Sequence, residues 1–492
     1  MIPIFSSLNM MQRALQVTQT SIQTTGHNIS NANTDGYSRQ RVNLATWLPY
    51  PSIGINAARG AGQIGTGVID ESITRIRDQF VDLQVRDNTN LNGYWSTISD
   101  AYSQMEDIIN EPTDTGISAT LDDFWSALQD LGSDTDSTGT VVLQKGAALA
   151  DTFNYISQSL GKVQDNLNSQ ITENVDLVNQ YADQINTLNQ EIEKQEANGE
   201  LPNDLYDKRD ALVDKLSEIV NVKVSTDKSG GNPSKLAEGK YSIEIVNGDG
   251  ASYDPPAQLV DGANLTTTHL DDPEITGADT TSPSVTISMA GQSLTGFSGK
   301  LQGLVDAYTT DYPSVLKSLD NMASTLAAEF NNAYATTEGS VSSGITEFFQ
   351  GEGGSVTAAN IHVNEDLTGN DITANKNGSP TGDNSGATAM ADVIASNTYD
   401  VDGNGDDPVT LKKYLESLVG QIGVNAQSAN QFKSNSETTL EAAQNRRMSV
   451  SGVSTDEELT NLIQFQHTYS ASARVVTTLD SLLDTLINKM GS

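Results

Sequence analysis

Near the N-terminus, Ile4, Leu8, Met11, Leu15, Thr18, Ile22, Thr25 and Ile29 recur at steps of four and three. At the other end, Leu462, Tyr469, Ala473, Val476, Leu483, Leu486 and Met490 repeat that rhythm with small irregularities. Such spacing lays one narrow stripe, mostly apolar, along each helix, the seam of a coiled coil. Neither stripe can bury itself, and the simplest partner for each is the other. The pattern therefore predicts that two ends separated by more than four hundred residues come together.

Between the ends, the first helix is expected to stop near Asn28. The run Asn28 to Tyr37 is dense in Asn, Ser, Thr, Asp and Gly, residues that bond their own backbone or accept left-handed dihedrals. Residues 38–70 read as extended. A helix is expected from about 72 to 110, stopped at Glu111-Pro112, and a shorter one over 118–131 with Phe124, Trp125 and Leu128 on its apolar face. The longest predicted element is 151–197, where steps of three and four run from Phe153 to Ile192; such a rod is roughly 70 Å long. Asn198-Gly199 and Pro202 end it, and Leu205 to Val220 returns as the second arm of an antiparallel hairpin.

From 222 the period changes to two: Tyr241, Ile243 and Ile245 alternate ahead of Asn247-Gly248, and Val285, Ile287 and Met289 alternate again, the mark of half-buried strands. Helical spacing resumes at Leu301, residues 336–410 read as an irregular excursion with a few short strands, and helices return over 410–445 and 455–490. The expected fold is mainly α with an inserted β-rich domain (α+β), an elongated multidomain chain combining a terminal-helix coiled coil with a long helical hairpin body. The expected parts are 1–45 with 450–492 as the terminal helical domain, 46–221 with 301–335 and 411–449 as the helical body, 222–300 as the β-rich insertion, and 336–410 as the Gly/Asn/Asp-rich outer excursion.

Charge sharpens this division. The 492 residues carry a formal net charge of −37, yet residues 1–45 sum to +2 and residues 455–492 to −3. The acidity lies in the middle, so the ends are free to pack against copies of themselves. A surface of this sign suits a salty or alkaline habitat and offers nothing to neutralise nucleic-acid phosphates. Cysteine is absent, which removes disulfides and thiolate metal sites. The segment Met1 to Met11 lacks the basic and apolar regions of a cleaved signal peptide, and no run of about 18 apolar residues predicts a membrane span.

Little catalytic chemistry is legible, and neither an enzyme nor a cofactor is expected. The four histidines, His27, His269, His362 and His467, form no zinc-type pair; His27 and His467 fall in the terminal segments, where packing or polar capping is the expectation. Gly296-Phe297-Ser298-Gly299-Lys300 lacks the first glycine of a phosphate loop and is followed by Leu301 instead of Ser or Thr, so it reads as a turn between strand and helix. Asp400, Asp402, Asn404 and Asp406 match the first half of a calcium loop with Gly405 at the sharp turn. The twelfth position, normally a bidentate Glu, is Leu411, and the same composition makes an ordinary acidic turn.

Two motifs carry a resemblance. Asn28-Ile29-Ser30-Asn31-Ala32-Asn33-Thr34-Asp35-Gly36-Tyr37-Ser38-Arg39-Gln40 is similar to the segment after the first helix of flagellar axial proteins. Its Tyr-Ser-Arg-Gln ending, with Ser451-Gly452-Val453-Ser454-Thr455-Asp456-Glu457-Glu458-Leu459 and the run through Gln464-Phe465-Gln466 to Leu486, resembles the FlgK family of hook–filament junction proteins. Gly299 to Asp306 and Phe330-Asn331 also look like that family's connecting elements. Tyr334 stands near where the family often has a histidine, and 336–410 follows no family pattern.

The resemblance implies a structural subunit of the bacterial flagellum, exported through the type III apparatus and polymerised at the distal end of the hook. Implied partners are other copies, the hook protein, a second junction protein and a cytoplasmic export chaperone on the C-terminal helix; the implied location is extracellular, at the junction, and cytoplasmic before export. The assembly interface is expected at Leu8, Met11, Leu15, Ile22, Ile29, Tyr469, Val476, Leu483 and Leu486, and the chaperone site at Leu459, Leu462, Tyr469, Val476 and Leu483. Two rivals remain at this point: another axial protein of hook or distal rod, and a secreted calcium-dependent adhesin.

Overall fold

Steps of three and four hold through one unbroken helix of 59 residues, Thr138–Glu196, about 88 Å at 1.5 Å per residue. It begins thirteen residues before the predicted start at 151. Gly139 and Gly146 weaken helix propensity there, but burial wins: Val142 and Leu149 are fully enclosed. Gly146 lies where a Cβ would stand 2.8 Å from the Phe348 ring, so the glycine lets an aromatic side chain reach the helix backbone.

The computed structural model of the chain describes residues 4–48, 65–109, 116–131, 138–277, 282–380, 382–403, 405 and 408–488. In order, the elements are α1 (Ile4–Ser30), β1 (Gln40–Thr46), β2 (Val68–Arg75), α2 (Gln79–Ile109), α3 (Ile117–Leu131), α4 (Thr138–Glu196), α5 (Asn203–Ile219), β3 (Val222–Asp227), β4 (Lys240–Val246), β5 (Ser252–Asp261), β6 (Thr266–Thr267), β7 (Glu274–Thr276), β8 (Ser284–Met289), β9 (Gln292–Leu294), α6 (Lys300–Asp306), α7 (Tyr312–Tyr334), α8 (Glu338–Ser343), β10 (Phe349–Gln350), β11 (His362–Val363), α9 (Ser385–Ala395), α10 (Leu411–Ser451) and α11 (Thr455–Asn488). A π-helical turn, Ala307–Asp311, joins α6 to α7. The architecture is mainly α with small antiparallel sheets.

The helix expected from 72 starts only at Gln79. Residues up to Arg75 instead form β2, paired antiparallel with β1 from Gln40↔Arg75 to Thr46↔Val68. The register shifts between Asn43 and Leu44, a bulge that leaves Glu71 without a partner on β1. Asp78 then accepts the Phe80 backbone N–H at 2.9 Å, giving α2 its start.

Contacts divide the chain into two compact units. The first comprises Met1–Thr89, Val178–His269 and Glu437–Ser492. Here α1 packs along α11 and on the β1–β2 pair. The C-terminal part of α4 and α5 form an antiparallel hairpin closed at Gly199, whose φ of 84° suits only glycine without strain. Val213 and Leu216 of α5 and Ile243, Ile245, Leu259 and Val260 of the four-stranded sheet β3-β4-β5-β6 are buried in the core of this unit.

The second unit comprises Asn90–Leu177 and Leu270–Ser436. Its centre is an aromatic cluster: Phe124, Phe330, Phe348 and Phe349 lie with ring centroids 4.8 to 5.9 Å apart. This cluster gives the stretch after 336 its hold. Asn331 donates to the Phe349 carbonyl and accepts from the Phe348 and Phe349 amides, fixing β10 beside α7. Among the described residues, no helix is long and apolar enough to cross a membrane.

Candidate assembly interface

The Asn28 to Gln40 segment is a joint built from side-chain hydrogen bonds. Asn28 ends the buried side of α1, and its amide uses all four of its bonding positions. Nδ2 donates to the Gln40 carbonyl at 2.9 Å and to Glu458 Oε2 at 3.1 Å. Oδ1 accepts from the Gln40 amide at 3.0 Å and the Tyr37 hydroxyl at 2.8 Å. One side chain thus ties α1, the entry to β1 and the first turn of α11.

Arg39 completes the tie. Its Nε donates to Glu458 Oε1 at 2.8 Å, its Nη1 to Glu457 at 2.9 Å, and its amide to the Ser451 carbonyl at 2.9 Å. Glu458 is 2% exposed, and an isolated carboxylate there would be costly; the Asn28 and Arg39 donors offset that cost. On the α5 side, Ser38 N–H donates to Asp207 and Gln40 Nε2 to Asp204. His27 Nδ1 lies 3.0 Å from the Tyr37 hydroxyl, the polar packing expected of it. Burial, with Asp204 and Asp207 nearby, raises the Tyr37 hydroxyl well above its ordinary value, so it stays protonated and donates.

Beneath the joint lies an ion cluster. Arg75 reaches Asp207 at 2.6 Å, Asp210 at 2.9 Å and Glu238 at 2.5 Å. Arg77 joins Asp82 and Asp210, both at 2.7 Å, and Asp214 pairs with Arg86 and with Arg447 of α10. Arg209 is fully buried and lies 3.4 Å over the Tyr241 ring. Burial alone would raise the Asp210 carboxyl; Arg77, Arg75 and Arg86 outweigh it and hold the group well below the usual carboxylate range. Removing one partner of such a set strands a buried charge, which makes the cluster a strong constraint on geometry. The sequence signal is the spacing Asp207, Asp210, Asp214 on one face of α5, matched by Arg75-x-Arg77.

Above the joint, the covered face of α1 shares only Thr18 and Thr25 with the predicted stripe. Its buried residues are Val17, Thr18, Ser21, Thr24, Thr25 and Asn28. Hydroxyls can be buried there because Thr18, Ser21 and Thr24 each donate to a carbonyl four residues back, leaving no unmet donor. Leu8, Met11, Leu15, Ile22 and Ile29 lie roughly 110° further round the helix and are half-buried.

On α11 the apolar residues differ in how far they are covered. Leu462, Val476 and Leu483 are half-buried. Leu459, Ile463, Tyr469, Val475 and Leu482 are 46%, 54%, 40%, 43% and 51% exposed. The Leu486 side chain lies outside the described residues, as do Asn404 and Asp406 of the proposed calcium loop. Asp400 accepts the Gly405 amide at 3.1 Å, the behaviour of a turn residue. No cluster of three or more metal-binding side chains occurs among the described residues.

Comparison with known proteins places the chain among flagellar axial components. The family model for the helical domain of flagellar hook-associated protein FlgK matches residues 102–347, and that for the C-terminal part of the flagellar basal body rod FlgEFG proteins matches 444–489. Flagellar hook-associated protein 1 of Bacillus subtilis is 41% identical over 99% of this chain and 98% of its own length. The Escherichia coli protein of the same name is 25% identical over 98% of this chain and 99% of its own. A solved structure, the flagellar hook junction protein FlgK from Burkholderia pseudomallei, aligns at TM-score 0.42 and 22% identity over 52% of this chain and 44% of that one.

Proposed function

We propose that this chain, which belongs to the flagellar hook-associated protein 1 (FlgK) family, is the structural subunit that polymerises at the distal end of the hook and joins it to the filament. The observation that carries the reading is the state of the terminal helices. They are locked to one another at the Asn28–Glu458 joint, yet beyond it they leave apolar side chains exposed or half-buried. A helix that keeps Leu459, Ile463, Tyr469, Val475 and Leu482 in water is stabilised once neighbouring copies cover them, at about 25 cal/mol per Å² of apolar surface.

Leu8, Met11, Leu15, Ile22, Ile29, Tyr469, Val476, Leu483 and Leu486 form the interface between copies in this reading, a heterologous contact repeated along a helix. Residues 1–45 with 450–492 make the inner tube, with the helical body, the 222–300 insertion and the 336–410 excursion outside it. The hook protein meets one end of the assembly and a second junction protein the other. Before export through the type III apparatus, a cytoplasmic chaperone covers Leu459, Leu462, Tyr469, Val476 and Leu483. The role is mechanical, and no catalytic step is assigned.

Electron microscopy of a strain lacking the chain tests the reading. Complete hooks without filaments support a junction subunit. Missing hooks point instead to a hook or rod component. Antibody label confined to one narrow band at the hook tip is the expected location.

A further inference from the structure

The geometry points to a second, head-to-tail contact between copies of this chain: Phe80 and Leu83 of α2, flanked by Asp78 and Asp87, seat in a groove of the next copy floored by Ala211 and Leu212 and rimmed by Lys208 and Lys215. The inference rests on the reading of the chain as an axial subunit and adds an interface distinct from the terminal helices.

The projecting part follows from how α2 is anchored. Its first turns bury Val81, Asp82 and Val85, which turns Phe80 and Leu83 outward, 64% and 53% exposed. These two residues sit one turn apart on the same side. Asp78 and Asp87 bracket them, both exposed, and neither forms an ion pair with a described residue.

The receiving part is a cavity of about 630 Å³ between α5, the loop after α1 and one turn of α4. Tyr37, Leu188, Ala211 and Leu212 line it. Lys208 and Lys215, both exposed, stand two turns apart on its rim, and neither pairs with a described acid. The acids on the same wall are already engaged: Asp204 accepts from Gln40 and Asp207 binds Arg75. Asp35 also lines the groove, on the loop whose Gly36 approaches Ala211 of α5.

In a chain with 27 basic residues against 64 acidic ones, two unengaged lysines flanking an apolar floor select an acidic, apolar occupant. The two lysines lie about 10 Å apart along α5 and the two aspartates about 13 Å apart along α2 at helical rise, a difference lysine side chains absorb. The copy cannot fill its own groove. Its α2 is held through Arg86 on the Asp210 and Asp214 side of α5, and the lysine face lies roughly 130° further round that helix. Two different surfaces that match one another make a heterologous contact, which repeats along a helix where the rotation between copies does not close a ring.

The absence of cysteine from the chain makes the test clean. In purified flagella, the F80C/L212C double variant is expected to give a disulfide-linked ladder on oxidation, while either single variant gives none. Charge reversal supplies a second arm that does not depend on cysteine geometry. K208E/K215E and D87K should each lower assembly onto hooks about tenfold, and their combination should recover it to within about threefold. A chain that bands normally at the hook tip, shows no ladder and ignores both reversals overturns this contact and leaves the junction reading intact. If the unaltered chain is missing from the hook tip, the junction reading fails and this contact falls with it.

Discussion

Asn28 and Glu458, 430 positions apart in sequence, are joined by a hydrogen bond of 3.1 Å inside the protein. Arg39 holds the other oxygen of the same carboxylate. The bond links the last turn of α1 to the first turn of α11, and through Gln40 it also links both to β1. One polar side chain thus ties both terminal helices and β1 at a single point, which Arg39 reinforces.

Replacing Asn28 by alanine leaves the Gln40 amide and carbonyl, the Tyr37 hydroxyl and the Glu458 carboxylate each short of a partner in a buried place. A cost of about 2–4 kcal/mol is expected in denaturant unfolding. The more telling measurement is hydrogen exchange. Residues 4–30 and 455–488 should lose protection together while α4 and α5 keep theirs. Equal loss throughout would mean that the joint does not act locally.

The ion cluster predicts an acid limit. The Asp210 carboxyl is depressed in the folded protein by Arg77, Arg75 and Arg86 acting against burial. Its stabilisation is complete above the unfolded value of about 3.9 and is lost as pH falls below that towards the depressed folded value. At the other limit, burial and Asp210 push the Tyr241 hydroxyl up to about 12. That contribution is full below about pH 10 and disappears as pH rises from there to about 12. Asp210→Asn should cost about 3–5 kcal/mol at neutral pH and flatten the acid limb, read by unfolding midpoints across pH.

Within the aromatic cluster, Gly146→Ala pits helix propensity against space. Alanine favours the helix by about 1 kcal/mol, but its Cβ would meet Phe348 at 2.8 Å and Phe124 at 3.2 Å. Overpacking of this kind costs about 1–3 kcal/mol, so a net loss is expected in thermal unfolding. Gly161, with open space around it, is the control at which the same change should stabilise.

These expectations mark where the sequence was readable. α5, α11 and most of α4 follow from long three–four spacing, because burial against one neighbour leaves a regular apolar stripe. Residues 138–150 were missed because the signal there is the absence of a side chain at Gly146, which has meaning only once Phe348 is in place. β2 was read partly as helix because Val68 to Arg75 is short and its partner β1 lies across a long connection. The joint was legible through Asn28 and Arg39 as motif residues, but their contact with Glu458 needed the fold. Apart from Thr18 and Thr25, the covered face of α1 escaped a search for apolar stripes, since threonine and serine hide their hydroxyls in their own helix.

The outward residues of α11 separate folding from assembly most sharply. Ile463, Val475 and Leu482 are 54%, 43% and 51% exposed in the single chain, so replacing them by serine should change monomer stability by no more than about 0.5 kcal/mol each. In an assembled tube the same positions lose apolar burial, about 1.5–3 kcal/mol for each side chain that a neighbour encloses. The triple variant is therefore expected to purify as a folded monomer with an unchanged unfolding midpoint and to fail to restore swimming to a strain lacking the chain. Val17→Ser, inside the covered face of α1 at 5% exposure, should behave in the opposite order, losing stability first. Normal filaments on cells carrying the triple variant would show that α11 meets its neighbours through some other face.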